Sequence, residues 1–496
     1  MQASPRLRKR AHRMKRTLFA VAAGSALLGA CAVGPNYRRP PVETPPSFKE
    51  TEGWTPARPS DAGDRGAWWS VFADSALDDL EQRVEISNQN LAAAEAAYRQ
   101  ARALVAEQRA GLFPTVDLTG AATRSKRAGG ATTTTGGVAA PAGAANSFQV
   151  NLGASWAPDL WGKIRRGIEG ARASAQASAA DLANARLSAQ SELAADYIQL
   201  RLTDAQKNLL QQTADGYARS LQITRNRYDA GVAAKSDLLQ AQTQLVNAQA
   251  SLADLDRQRT QSEHAIAVLI GRPPAELTIP ALADWRPIPP PTPVETPSTL
   301  LQRRPDVAAA ERRAAAASAQ IGVQAAAYFP SLTLSASGDA ASTALQSLFN
   351  SSTAGWAIGA NVAQTVFDAG AIRSRVRGSR AAYDQAVAQY RQTVLTAFGQ
   401  VEDDLAAARV LQAEAAMRDE AVQSANEAEQ IALNQYRAGQ IVYTDVVVAQ
   451  ATALAARQSL LTIQAQRMTT AISLIEALGG GWTAPDRAGP PAGQPR

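Results

Sequence analysis

The sequence predicts a mainly α-helical protein with a small β part, one unit of helix, β-hairpin and long helix pair being used twice. Three observations predict it: a motif recurring at a fixed offset, long tracts without proline, and short stretches in which apolar and polar residues alternate. Only 5% of the 496 residues are aromatic, and Ala, Gln, Leu and Arg fill long stretches. Such a composition suits long helices packed through small side chains better than a set of compact cores.

The repeat is the strongest of the three signals. Asn226-Arg-Tyr-Asp-Ala-Gly231, followed by Ser236-Asp237 and Ala241-Gln242, recurs as Asn434-Gln-Tyr-Arg-Ala-Gly439 with Thr444-Asp445 and Ala449-Gln450, at an offset of 208 throughout. Gly162, Ile164 and Arg165 match Gly370, Ile372 and Arg373 at the same offset, whereas Phe113-Pro114 matches Phe329-Pro330 at 216. The first half therefore holds eight extra residues, which fall in the Gly, Ala and Thr tract of 121–145 and read as loop.

Each half opens with a helix, expected over about 74–112 and 306–328, that stops at Phe-Pro because proline disfavours helix in the residue before it. Strands follow. Phe148, Val150, Leu152, Ala154 and Trp156 alternate with polar or small residues and face Val116 and Leu118 across the loop. In the second half Leu332, Leu334 and Ala336 face Trp356, Ile358 and Ala360, again with period two.

Proline is then absent from Trp161 to Arg272 and from Ser331 to Thr483. An unbroken helix from Lys163 to Tyr228 would run roughly 100 Å at 1.5 Å per residue. Apolar residues on the two stretches keep a heptad-like beat, as in Ile198, Leu202, Ala205 and Leu209 of the first and Val394, Phe398, Val401, Leu405 and Ala408 of the second. So narrow a stripe calls for partner helices along its whole length.

Arg6, Arg8, Lys9, Arg10, Arg13, Lys15 and Arg16 precede an uncharged run from Thr17 to Ala30, the pattern of a secretory signal peptide too short to span a bilayer. The run ends Leu28-Gly29-Ala30-Cys31, and Cys31 is the only cysteine, so no internal disulfide is available to it. The box looks like a bacterial lipoprotein signal, with Cys31 as the acylated first residue of the mature chain. Removing those seven cations from the fifty Lys and Arg leaves 43 against 44 acids, so the sequence pI of about 9.5 is no argument for nucleic-acid binding.

The expected organisation is a signal peptide over 1–30, a lipid-anchored tether over 31–72, a first repeat over 73–272, a Pro-rich connector over 273–299, a second repeat over 300–480 and a tail over 481–496. Trp68, Trp69 and Phe72 mark where packing begins. Four strands with an apolar face cannot stand alone in lipid, since an open edge leaves backbone groups unpaired at several kcal/mol each. Pooling strands from several copies into one barrel resolves this, with the long helices continuing it as a tube.

The Cys31 box, Trp68-Trp69, Leu301-Gln-Arg-Arg-Pro-Asp306, Phe329-Pro330 and the paired Tyr-x-x-Gly turns together resemble the outer membrane factors, the TolC-like efflux channels, and specifically their lipoprotein branch. The resemblance spans essentially the whole mature chain. It implies a homotrimer whose α-helical barrel continues into a twelve-stranded transmembrane β-barrel, passing small molecules outward for an inner-membrane pump through a periplasmic adaptor. It also implies that the helical tips at Tyr228, Ala230, Gly231, Val232, Ala438, Gly439 and Gln440 touch the adaptor, and that Asp237, Tyr436 and Asp445 line the periplasmic aperture.

Two readings of the tip acids compete. Crowded carboxylates from several copies would repel and select cations; alternatively Ser236-Asp237 and Thr444-Asp445 cap the return helices. Ile441 and Val448 stand where some family members carry charged residues, which argues against a salt-bridged lock. Arg303, Arg304, Pro305 and Asp306 read as a structural helix start.

Enzymatic chemistry is not expected, and neither is a cofactor. His12 leaves with the signal and His264 stands alone on a helix, so no histidine pair or histidine and cysteine set is available. A periplasmic adaptor lipoprotein is the alternative reading, but it should carry one hairpin and many strands; a non-channel coiled coil would lack the amphipathic strands.

Overall fold

The computed structural model describes residues 32–50, 67–126, 144–290, 303–350 and 352–480. Cys31, the signal segment, residues 127–143 of the expected loop, part of the connector and the tail lie outside the described residues. The ends of that expected loop, 121–126 and 144–145, are instead strand, because 121–126 pair across the hairpin with 144–149. The first half comprises α1 (Ser75–Ser87), α2 (Gln89–Ala110), β1 (Thr115–Lys126), β2 (Ala144–Trp156), α3 (Lys163–Asp229) and α4 (Lys235–Leu269). The second comprises α5 (Pro305–Ala325), β3 (Ser331–Ser342), β4 (Ala354–Ala363), α6 (Ala371–Arg437) and α7 (Tyr443–Ala477).

The duplication holds to the residue in the helices. α3 and α6 have 67 residues each and α4 and α7 have 35 each, and every boundary is displaced by 208. The opening helix of the first half departs from expectation: it is not continuous over 74–112 but breaks at Asn88, whose backbone is extended at φ −65° and ψ 122°. The side chain explains the break. Its Oδ1 accepts from the Asn90 and Leu91 amides at 2.9 and 3.1 Å, starting a new helix, while Nδ2 donates to the Leu269 carbonyl at 2.7 Å. In the second half α5 ends in a single 3-10 turn, Ala326–Tyr328, before Phe329-Pro330.

The chain divides into two compact units that cut across the repeats. One takes 1–40, 100–176 and 312–388; the other takes 41–99, 177–311 and 389–496.

The first unit holds one four-stranded antiparallel sheet in the order β1-β2-β3-β4. The helices beside it follow the same order. A Cβ on Gly167 of α3 would lie 3.1 Å from Gln108 of α2, one on Gly170 would meet Ala319 of α5 at 3.5 Å, and α5 and α6 share a groove lined by Gln320, Gln324, Arg375 and Ser379. Trp161 stacks on Phe329 at 4.8 Å and donates to the Pro330 carbonyl at 2.7 Å, which fixes the Phe-Pro corner.

The second unit is held by separate hydrophobic clusters among its described residues, the most extensive of them around Trp68 and Trp69. Trp68 and Trp69 pack with Leu77, Leu80, Leu193 and Ile270, and Trp68 donates to Gln190 Oε1 at 3.2 Å. Phe48 packs with Val394, Phe398, Val401 and Leu405 of α6, where Glu402 accepts from the Lys49 and Glu50 amides at 2.7 and 3.0 Å. The connector is tied to α3 and α4 through Asp204, which receives Arg201, Arg259 and the Leu282 amide, and through Glu263, which receives the Ile279 amide. Arg304 forks onto Asp306 and reaches the Ala477 carbonyl, so this arginine and acid hold the start of α5.

Candidate channel wall and helical tips

In the sheet, residues that face one another across strands share a face. Leu118 opposes Leu152, Val150 opposes Ala340, Leu334 opposes Ala360, and Ala336 opposes Ile358, so the large apolar side chains of all four strands lie on one side. The other side carries Thr119 opposite Asn151, Gly153 opposite Ser337, and Thr333 opposite Asn361. Strands of 10 to 13 residues with one apolar and one hydrophilic face have the form of a membrane barrel wall, lipid outside and water within.

The wall is incomplete within one chain. Among the described residues β1 and β4 each pair on one side only, and Leu118, Trp356 and Ile358 are 71%, 80% and 78% exposed. Apolar surface and unpaired edges of this extent need lipid on the face and further strands at the edges.

The tips belong to the second unit. In the first, the Val232 amide donates to the Arg227 carbonyl and the Gly231 amide to that of Tyr228, both at 2.9 Å, with Gly231 at φ +76°. In the second, Gln440 donates to Gln435 and Gly439 to Tyr436, again at 2.9 Å, with Gly439 at φ +75°. Both are Schellman turns, which need the left-handed conformation that glycine adopts freely. Ala230 and Ala438 are exposed beside them.

The capping reading of the tip acids is corrected. The positions before α4 and α7 are Ala234 and Val442, with no side-chain cap, and Asp237 and Asp445 lie in the first turn. Ser236 donates weakly to Asp237 and Thr444 to Gln240, both at 3.4 Å, so neither hydroxyl closes the helix end. The acids favour the helix dipole without capping it. Asp445 is exposed and Asp237 half-buried.

Tyr436 is 4% exposed and packs with Ala241, Tyr443 and Val446. Arg227 of the first tip lies 4.8 Å over its ring and donates to its carbonyl at 2.9 Å, and its hydroxyl lies 3.3 Å from Thr224. Burial first, then Tyr436, Tyr217 and Asp237, push the Tyr443 hydroxyl up to about 12. This bracing of one tip by the other was not read from the sequence, although Arg227 against Gln435 at equivalent positions was a visible difference.

The family model for outer membrane efflux proteins matches residues 80–272 and 296–480, one stretch for each half. The chain belongs to that family. Among curated relatives, it is 29% identical to the probable efflux pump outer membrane protein TtgC of Pseudomonas putida over 95% of this chain and 96% of that protein. It is 30% identical to the pyoverdine export outer membrane protein OpmQ of Pseudomonas aeruginosa over 93% and 96%. Among solved structures, the outer-membrane channel OprN superposes with a TM-score of 0.82 at 30% identity, covering 92% of this chain and all of that one. The protein is therefore an outer-membrane efflux channel component, and the adaptor reading is not favoured.

Proposed function

We propose that three copies of the chain close a twelve-stranded barrel in the outer membrane, four strands from each, and form the passive exit duct of a tripartite efflux system. The observation that supports this most is the two-faced sheet with both edges unpaired. Cys31 anchors the mature chain by lipid at the membrane surface. The tips at Tyr228, Ala230, Gly231, Val232, Ala438, Gly439 and Gln440 meet a periplasmic adaptor, through which an inner-membrane pump supplies the energy. Relatives named for toluene, antibiotic and pyoverdine export suggest small molecules as cargo. The chain itself transforms nothing.

Asp237, Tyr436 and Asp445 form the periplasmic aperture, the two acids supplying its charge and Tyr436 being held in place by Arg227. Outer-membrane fractions should yield a trimer that dissociates only on heating, and deletion of the gene should raise dye accumulation in the cell. A monomer in the soluble periplasm would defeat the reading. Asp237→Ala with Asp445→Ala should raise single-channel conductance in planar bilayers; unchanged conductance would remove the acids from the aperture.

A further inference from the structure

The start of α6 carries a cluster of cations that the chain itself does not neutralise. Arg373, Arg375, Arg377 and Arg380 fall in its first ten residues and all are exposed. Among the described residues none of the four makes an ion pair. At 3.6 residues per turn, Arg373, Arg377 and Arg380 share one face over roughly 10 Å, while Arg375 lies on another side, in the groove with α5 and within electrostatic reach of Asp368. Asp384, one turn beyond Arg380, is the nearest acid along the stripe and is not bridged to it.

Such a stripe is unfavourable in isolation. Like charges four residues apart repel, and cations in a helix's first turns oppose its dipole. The equivalent turns of α3 show the alternative. There the four positions are Arg165, Gly167, Glu169 and Arg172; Arg165 is bound to Asp159 at 3.2 Å and Glu169 to Arg166 at 2.7 Å. The second repeat has an arginine where the first has its neutralising glutamate. The bias extends to the whole sheet-bearing unit, whose described residues hold sixteen Arg and Lys against seven Asp and Glu, a net of +9.

Position identifies the class of anion. Seven residues, 364–370, join β4 to α6, and among them Val366 and Phe367 are 94% and 87% exposed. Amphipathic strand, exposed apolar anchor and then cations is the order of a chain leaving a bilayer through its headgroups. All four cations are arginine, whose planar fork suits phosphate oxygens.

We propose that Arg373, Arg377 and Arg380 form a site for the phosphate groups of anionic phospholipid at the periplasmic face of the outer membrane. The site rests on the sheet being the membrane-spanning part. Native mass spectrometry of the purified mature trimer, mixed with equimolar phosphatidylglycerol and phosphatidylcholine, tests it. The wild type should retain phosphatidylglycerol at least about tenfold over phosphatidylcholine. The triple variant R373Q/R377Q/R380Q should bring that ratio near one, the triple lysine variant should restore part of it, and R375Q should leave it unchanged. Equal retention in wild type and triple glutamine variant overturns the site. An unchanged lipid ratio with a shifted anion-to-cation permeability in planar bilayers would place the stripe against the lumen and also overturn it. Absence of wild-type trimers would instead overturn the membrane reading, and the site with it.

Discussion

The two repeats share a backbone plan and differ in what holds it. In the first, the α3–α4 hairpin is fastened by buried charge: Asp204, its side chain 1% exposed, accepts from Arg201 and Arg259, which also hold the connector. In the second, the equivalent of Asp204 is the exposed Gln412 and that of Tyr197 is Leu405, buried among Phe48, Val394 and Val401. The tips diverge likewise, the first supplying Arg227 and leaving Tyr228 38% exposed, the second burying Tyr436 and Tyr443. Duplication kept the helix lengths, on which a continuous wall depends, and left each half free to evolve its own fastening.

Substitutions at matched positions should therefore have unmatched effects. The largest contrast is expected at Asp204→Ala, which leaves the buried Arg201 without its anion and Arg259 with Glu263 alone, and should destabilise by roughly 3–5 kcal/mol, against less than about 0.5 kcal/mol for Gln412→Ala. Thermal melting of the purified trimer reads both, and equal effects would refute the contrast. Tyr436→Ala should cost about 3 kcal/mol in the same assay, whereas Tyr228→Ala should change stability by less than about 0.5 kcal/mol. Gly231→Ala and Gly439→Ala are the exception: both impose a left-handed alanine and should cost about 1–2 kcal/mol each, alike in the two halves. A difference larger than that between them would show that one tip is constrained beyond its turn.

The smallest effect concerns Asp196 and Asp404, which are equivalent. Burial, then Asp403 and Glu476, push Asp404 up to about 6, with Arg304 opposing, and burial with Glu192 raises Asp196. A carboxyl raised in the folded state gives its full stability below its unfolded pKa and loses it as pH rises through the folded value. Melting temperature should thus fall between about pH 4 and 6, and Asp404→Asn should flatten that slope more than Asp196→Asn. A slope unaltered by Asp404→Asn would assign it to other groups.

The repeats, the strand pairing and the helix lengths were legible because each rests on a period: 208 residues, two, or a heptad. The break at Asn88 was missed because helical periodicity continues across it, and only the Asn88-Gln89-Asn90-Leu91 start signal marked it. Residue type alone offers Ser236-Asp237 and Thr444-Asp445 as caps, one of the two readings of these turns. The chain enters α4 and α7 two residues earlier, through Ala234 and Val442, where no side chain reports it. The bracing of Tyr436 by Arg227 joins residues 209 positions apart, beyond the reach of local pattern.

In the proposed trimer β1 of one copy meets β4 of another. Cysteine pairs scanned along Thr119 and Thr123 of β1 and Gly355, Gly359 and Asn361 of β4, made in the mature chain and oxidised in outer membranes, test this directly. At the matching register a covalent trimer that survives boiling in detergent is expected, with no ladder from either single variant. Monomers alone at every register, or links confined within one chain, would contradict it.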